Sequence, residues 1–124
     1  MPHEHFPVLW VGRAAVISLP AEIDIINADL IRDDLLSLLN RGPATLIVDM
    51  SGTTFCNSAG VNALLRARRR ATVSESQIWL VVTAPTVRRV LSITGVDYLM
   101  EIYPSVTAAL DATAVTSPRA SADL

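Results

Sequence analysis

The sequence predicts an α/β fold: a single domain with a mixed β-sheet that opens on a β-hairpin and carries packed helices, in the order β-β-α-β-α-β-α-β-α. Three observations lead there. Two short apolar runs, Val8 to Val11 and Ala14 to Leu19, are parted only by Gly12-Arg13, and a glycine at the first turn position suits a two-residue II′ hairpin. Two later runs, Thr45 to Asp49 and QIWLVVT from Gln77 to Thr83, are almost wholly apolar, as strands buried on both faces are. Helix-like segments separate these runs, so their strands need crossover connections and run parallel.

After Pro20, residues Ile31, Leu35, Leu38 and Leu39 recur at i, i+4, i+7 and i+8, the stripe of an amphipathic helix. Asn27 is its expected N-cap, and Gly42-Pro43 stops it. The strand at Thr45 is followed by the loop MSGTTFCN and a helix from about Ala59 to Thr72, burying Val61, Leu64 and Leu65 and turning Asn62, Arg66, Arg69 and Arg70 outward. Pro85 opens the next helix at a first helical position; it carries Val87, Val90 and Leu91 and ends at Gly95. A short strand around Met100 to Tyr103 leads to a helix from Ser105 to about Ala112. Residues 1–7 are expected to be mobile, residues 8–112 to form the domain, and residues 113–124, small and polar, to be a flexible tail.

The 124 residues fit one domain, and with 51% apolar but only 5% aromatic residues the core is built from Leu, Val, Ile and Ala. The net charge is -2, every basic residue is arginine, and no basic block extends over a whole face, so the electrostatic footprint of a nucleic-acid binder is missing. A protein or small molecule is the expected partner. The single cysteine, Cys56, rules out an internal disulfide and a thiolate-rich metal site, and accords with a reducing compartment. The start MPHEHFPVLWVGR lacks a basic n-region and its apolar stretch breaks at Gly12-Arg13, unlike a signal peptide. No segment approaches the roughly 18 apolar residues of a spanning helix. The expectation is a soluble cytoplasmic protein, free of membrane and of direct nucleic-acid contact. His3 and His5 stand two apart near the terminus, and a solvated tail is preferred over a metal site; no metal or cofactor is expected.

The segment FCNSAG, Phe55 to Gly60, offers a serine where a strand passes into a helix. A hydrolase elbow has G-x-S-x-G, and Cys56 stands at its first glycine. A serine nucleophile also needs a base, and in the elbow's order the histidine follows the serine, whereas the only histidines here, His3 and His5, precede it. No enzyme is therefore expected. From spacing alone, Asn57 or Ser58 caps the helix, and Arg66, Arg69 and Arg70 form a solvated face.

Three ordered blocks add to this reading. Leu19 to Asp24 (LPAEID), Leu46 to Val61 (LIVDMSGTTFCNSAGV) and Ala84 to Val96 (APTVRRVLSITGV) resemble a STAS domain, and in particular the single-domain anti-sigma factor antagonists of bacteria. The resemblance runs from about Val8 to Ala112. It implies a regulatory binding protein whose partner is an anti-sigma factor of the histidine-kinase-like ATPase type. In that family a D-S-[small]-G serine is phosphorylated by the partner, which breaks the complex until a serine phosphatase restores it. Ser58 falls on that serine, Gly60 on the glycine, and Asp24 on an acidic position implicated in partner contact. The implied contact surface comprises Asp24, Asn57, Ser58, Gly60, Asn62 and Arg66. The sequence departs from the pattern at Asn57, where the family has aspartate, at Ala21, where a turn glycine is usual, and at Asn62, where a second glycine is frequent. A non-phosphorylated scaffold or small-ligand module in a signalling assembly is the alternative.

Overall fold

The computed structural model describes residues 5–116. In chain order its elements are β1 (Val8–Val11), β2 (Ala14–Ser18), β3 (Glu22–Ile23), α1 (Ala28–Asn40), β4 (Thr45–Met50), β5 (Phe55–Cys56), α2 (Ser58–Ser74), β6 (Gln77–Val82), α3 (Pro85–Ile93), α4 (Val96–Leu99), β7 (Glu101–Tyr103) and α5 (Val106–Thr116). Five strands form one sheet in the order β1-β2-β4-β6-β7. Only β1 runs antiparallel to its neighbour; the β2-β4, β4-β6 and β6-β7 pairs are parallel, as crossover helices demand. At the hairpin Gly12 takes φ +58° while Arg13 keeps a negative φ, the pattern of a II′ turn.

The central strands are almost wholly apolar because both of their faces are covered. Along β6, Ile78, Leu80 and Val82 enter the larger core beneath α1, α2 and α3, while Trp79 and Val81 enter a smaller one with Ala109 of α5. The Trp79 and Tyr103 rings lie 5.1 Å apart in that second layer. In β4 the same alternation sends Leu46, Val48 and Met50 one way and Ile47 the other. Edge strand β1 is covered less, and Leu9 and Val11 stay exposed.

Four expectations are corrected. The loop between β4 and α2 contains β5, which pairs in parallel with β3 as a separate two-stranded sheet; Asp24 directly follows β3. Asn27 occupies the N-cap position of α1, but its side chain makes no cap hydrogen bond. It turns back instead, donating to the Glu22 carbonyl at 2.8 Å and accepting from the Asp24 N–H at 3.1 Å. Helix α5 continues to Thr116, so residues 113–116 belong to it, while the rest of the expected tail lies outside the described residues.

The fourth correction concerns the N-terminal segment. Asp34 lies on the buried stripe of α1 with 1% of its surface exposed. One carboxylate oxygen accepts from the His5 N–H at 2.6 Å and the Phe6 N–H at 3.0 Å, and the other sits 2.8 Å from His5 Nδ1. Phe6 packs against the larger core. Residues 5 and 6 are thus tied down, because a buried carboxylate must be satisfied by donors; residues 1–4 lie outside the described part.

The surface around Ser58

The β3-β5 pair positions this surface. Its register sets Glu22 opposite Phe55 and Ile23 opposite Cys56, and the Asn57 N–H continues the ladder to the Ile23 carbonyl at 3.1 Å. The loop that starts at Asp24 and the helix that starts at Ser58 consequently leave the small sheet side by side. In the loop, Asp24 Oδ1 accepts from the Ile26 N–H at 2.9 Å, and the Asp24 carbonyl accepts from Ala28 at 2.9 Å. The Asp24 carboxylate, expected as a contact group, also shapes the turn.

Helix α2 starts in an order that assigns its first two polar residues different tasks. Asn57 is extended (φ -100°, ψ -170°) and its Oδ1 accepts from the Ala59 N–H at 3.0 Å, satisfying one of the unpaired donors of the first turn. Asn57 is the cap; Ser58 is not. Ser58 is exposed at the first helical position, and its hydroxyl has no hydrogen bond among the described residues. The neighbouring hydroxyls are engaged: buried Thr53 donates to the Pro20 carbonyl at 2.8 Å, and Thr54 to the Ala21 carbonyl at 3.3 Å. Among the described residues no histidine is placed to activate Ser58, since His5 is bound to Asp34.

Gly60 is buried. A Cβ there would stand 2.5 Å from Ile23 Cγ2 and 2.7 Å from Cys56 Sγ, so the glycine lets the start of α2 lie directly on the small sheet. Gly60, expected in the contact surface, thus has a packing role as well. Gly60→Ala is expected to lower stability by about 1 to 2 kcal/mol, overpacking outweighing the better helix propensity of alanine; an equal or higher midpoint of urea unfolding would contradict this. Cys56 itself is buried, and burial pushes its thiol pKa up to about 11, which keeps it protonated and inert.

Around Ser58 the surface is apolar to an extent that the sequence reading missed. Ile25 and Ile26 are 78% and 85% exposed on the loop before α1, and Phe55 is 50% exposed on β5. The signal was present: Ile25-Ile26 precedes the α1 stripe and is out of phase with it. A cleft of about 210 Å³ lies between Ile25, Ala28 and Arg32 on one side and Ala59, Asn62 and Arg66 on the other. It brings Asn62 and Arg66, both exposed, beside the loop that Asp24 starts.

The sequence profile of the STAS domain matches residues 8–109. The chain belongs to the STAS domain family. Solved structures similar to this STAS domain include an anti-sigma factor antagonist from Mycobacterium paratuberculosis, 25% identical over 90% of this chain and 96% of that one, with a TM-score of 0.80. The anti-sigma factor antagonist SpoIIAA in its unphosphorylated form is 26% identical over 87% of this chain and 95% of its own, with a TM-score of 0.75. The Bacillus cell fate determinant SpoIIAA in the phosphorylated form is 25% identical over 87% of this chain and 98% of that one, with a TM-score of 0.68. No curated protein sequence matches the STAS domain described here. Among its described residues no helix is long and apolar enough to cross a membrane.

Proposed function

We propose that this STAS domain is an anti-sigma factor antagonist, a cytoplasmic binding protein rather than an enzyme. It binds an anti-sigma factor of the histidine-kinase-like ATPase type and is switched off by phosphorylation of Ser58; a serine phosphatase reverses the switch. The observation that carries this reading is the exposed, unbonded Ser58 hydroxyl at the start of a helix already capped by Asn57. A phosphate there brings about -1.5 to -2 charges and three acceptor oxygens. It meets the unpaired N–H groups and positive dipole end of α2, so the fold accommodates it. A partner seated on Ile25, Ile26 and Phe55 does not, because bulk, charge and desolvation enter its contact at once.

Incubation with the purified kinase and ATP, followed by peptide mapping, is expected to place phosphate on Ser58. Phosphate on Thr53 or Thr54 alone would overturn the assignment. Asn57→Asp is expected to keep stability within about 0.5 kcal/mol, since both residues cap equally well, and to raise the phosphorylation rate. No phosphorylation of either protein by a kinase that binds both would favour the scaffold reading.

A further inference from the structure

We infer that the Ser58 surface continues along α2 as a basic stripe that receives an acidic surface of the anti-sigma factor; this rests on the function proposed above. Ser58, Asn62, Arg66 and Arg69 follow one another at i+4, i+4 and i+3, the spacing that aligns side chains on one helix face. The two arginines of that stripe are exposed, and neither has an ion pair or hydrogen bond among the described residues. The helix sequence SAGVNALLRARRRATVS contains no acidic residue. Its other arginines are held aside, Arg68 on the Leu99 carbonyl at 3.1 Å and Arg70 on Asn40. Across the cleft, Arg32 pairs with two carboxylates, Asp29 and Asp33, at 3.1 and 3.0 Å, and Asp29 lines the cleft with Arg66, so the α1 wall is slightly acidic and the positive excess is confined to α2. The overall charge of -2 conceals this local excess.

Arg66 lines the cleft that also holds Ile25, Ala59 and Asn62, which makes the stripe continuous with the Ser58 surface. Charge complementarity then assigns the partner's matching surface carboxylates. The same arrangement gives phosphorylation a second effect: a phosphate at the head of the stripe offsets the positive field of Arg66 and Arg69 and repels an acidic partner during approach.

The test measures association rates with the purified histidine-kinase-like anti-sigma factor at low and high salt. The proteins are wild type, Arg66→Glu/Arg69→Glu on α2, and Arg88→Glu/Arg89→Glu on α3 as a control with the same change in net charge. All four positions are exposed, and thermal melts confirm folding. The α2 variant is expected to associate about ten-fold more slowly at low salt and to lose most of the salt dependence, with the control within about two-fold of wild type. Equal slowing of both variants, or none in either, overturns the inference. If Ser58→Glu weakens the complex while the α2 variant binds like wild type, the inference fails and the proposed function stands; if wild type binds no such kinase, both fail. Retention of duplex DNA or phosphatidylglycerol vesicles that is lost only in the α2 variant, with kinase binding unaltered, also overturns it.

Discussion

Ser58→Glu is expected to weaken the complex with the anti-sigma factor at least ten-fold, about 1.4 kcal/mol, while the domain stays folded. Glutamate at the first helical position agrees with the helix dipole, and the Ser58 hydroxyl has no hydrogen bond among the described residues to lose. The weakening comes from a carboxylate at the head of α2, next to Ala59 of the cleft that Ile25 also lines, and in line with Arg66 and Arg69. Glutamate has one charge and lacks the tetrahedral oxygens, so the authentic phosphoprotein is expected to bind still more weakly. Ser58→Ala is expected to bind like the unmodified protein and to resist inactivation by ATP. Its melting temperature is expected to be unchanged or slightly higher, because Asn57 supplies the cap and alanine favours the helix. Titration calorimetry of wild type, both variants and the phosphoprotein checks this; equal affinity for all four would leave Ser58 without a regulatory role.

The largest loss of stability is expected from Asp34→Ala. The carboxylate is 1% exposed and receives the His5 and Phe6 N–H groups together with His5 Nδ1. Hydrogen bonds to a charged group contribute about 1.5 to 3 kcal/mol each. His5 is exposed enough to recover water when the carboxylate goes, so the three together are expected to count for about 3 kcal/mol rather than their sum. That corresponds to a melting temperature lower by roughly 10 °C. His5→Ala, which removes only the ring contact and leaves both N–H donors, is expected to lose less than half as much. A melting temperature for Asp34→Ala within 2 °C or so of wild type would mean that the N-terminal segment adds nothing to stability.

What was legible in the sequence follows from how each signal is encoded. Strands buried on both faces announce themselves by composition, which is why β4 and β6 were found, and Pro85 and Gly95 bracket α3 by backbone chemistry. The two residues each of β3 and β5 leave no periodicity to detect, since only backbone pairing across a long separation defines them. Asp34 was detectable in principle: it falls three residues after Ile31 on the α1 stripe, and a carboxylate at a core position calls for donors. Those donors come from the terminal segment that had been read as mobile. At the site, the motif points to Ser58 as the candidate, but it carries no sign of how Gly60 packs. A glycine's reason lies in what its missing Cβ would strike, here Ile23 and Cys56, and that is a property of three dimensions.

The position of β4 between β2 and β6 bears on how the chain reaches this state. Its register joins Thr45 to Ala14 on one side and to Gln77 on the other, so each pairing closes a loop of about thirty residues before it is rewarded. Among the pairs of the main sheet, only the β1-β2 hairpin is local. Folding is therefore expected to be slow relative to a helical bundle of equal length, with the capture of β4 by its neighbours as the costly step. Substitutions in the β4-β6 core are expected to retard refolding, whereas those at the Ser58 surface, outside that nucleus, chiefly alter unfolding. The proposed contact surface thereby lies apart from the pairings on which efficient folding is expected to depend.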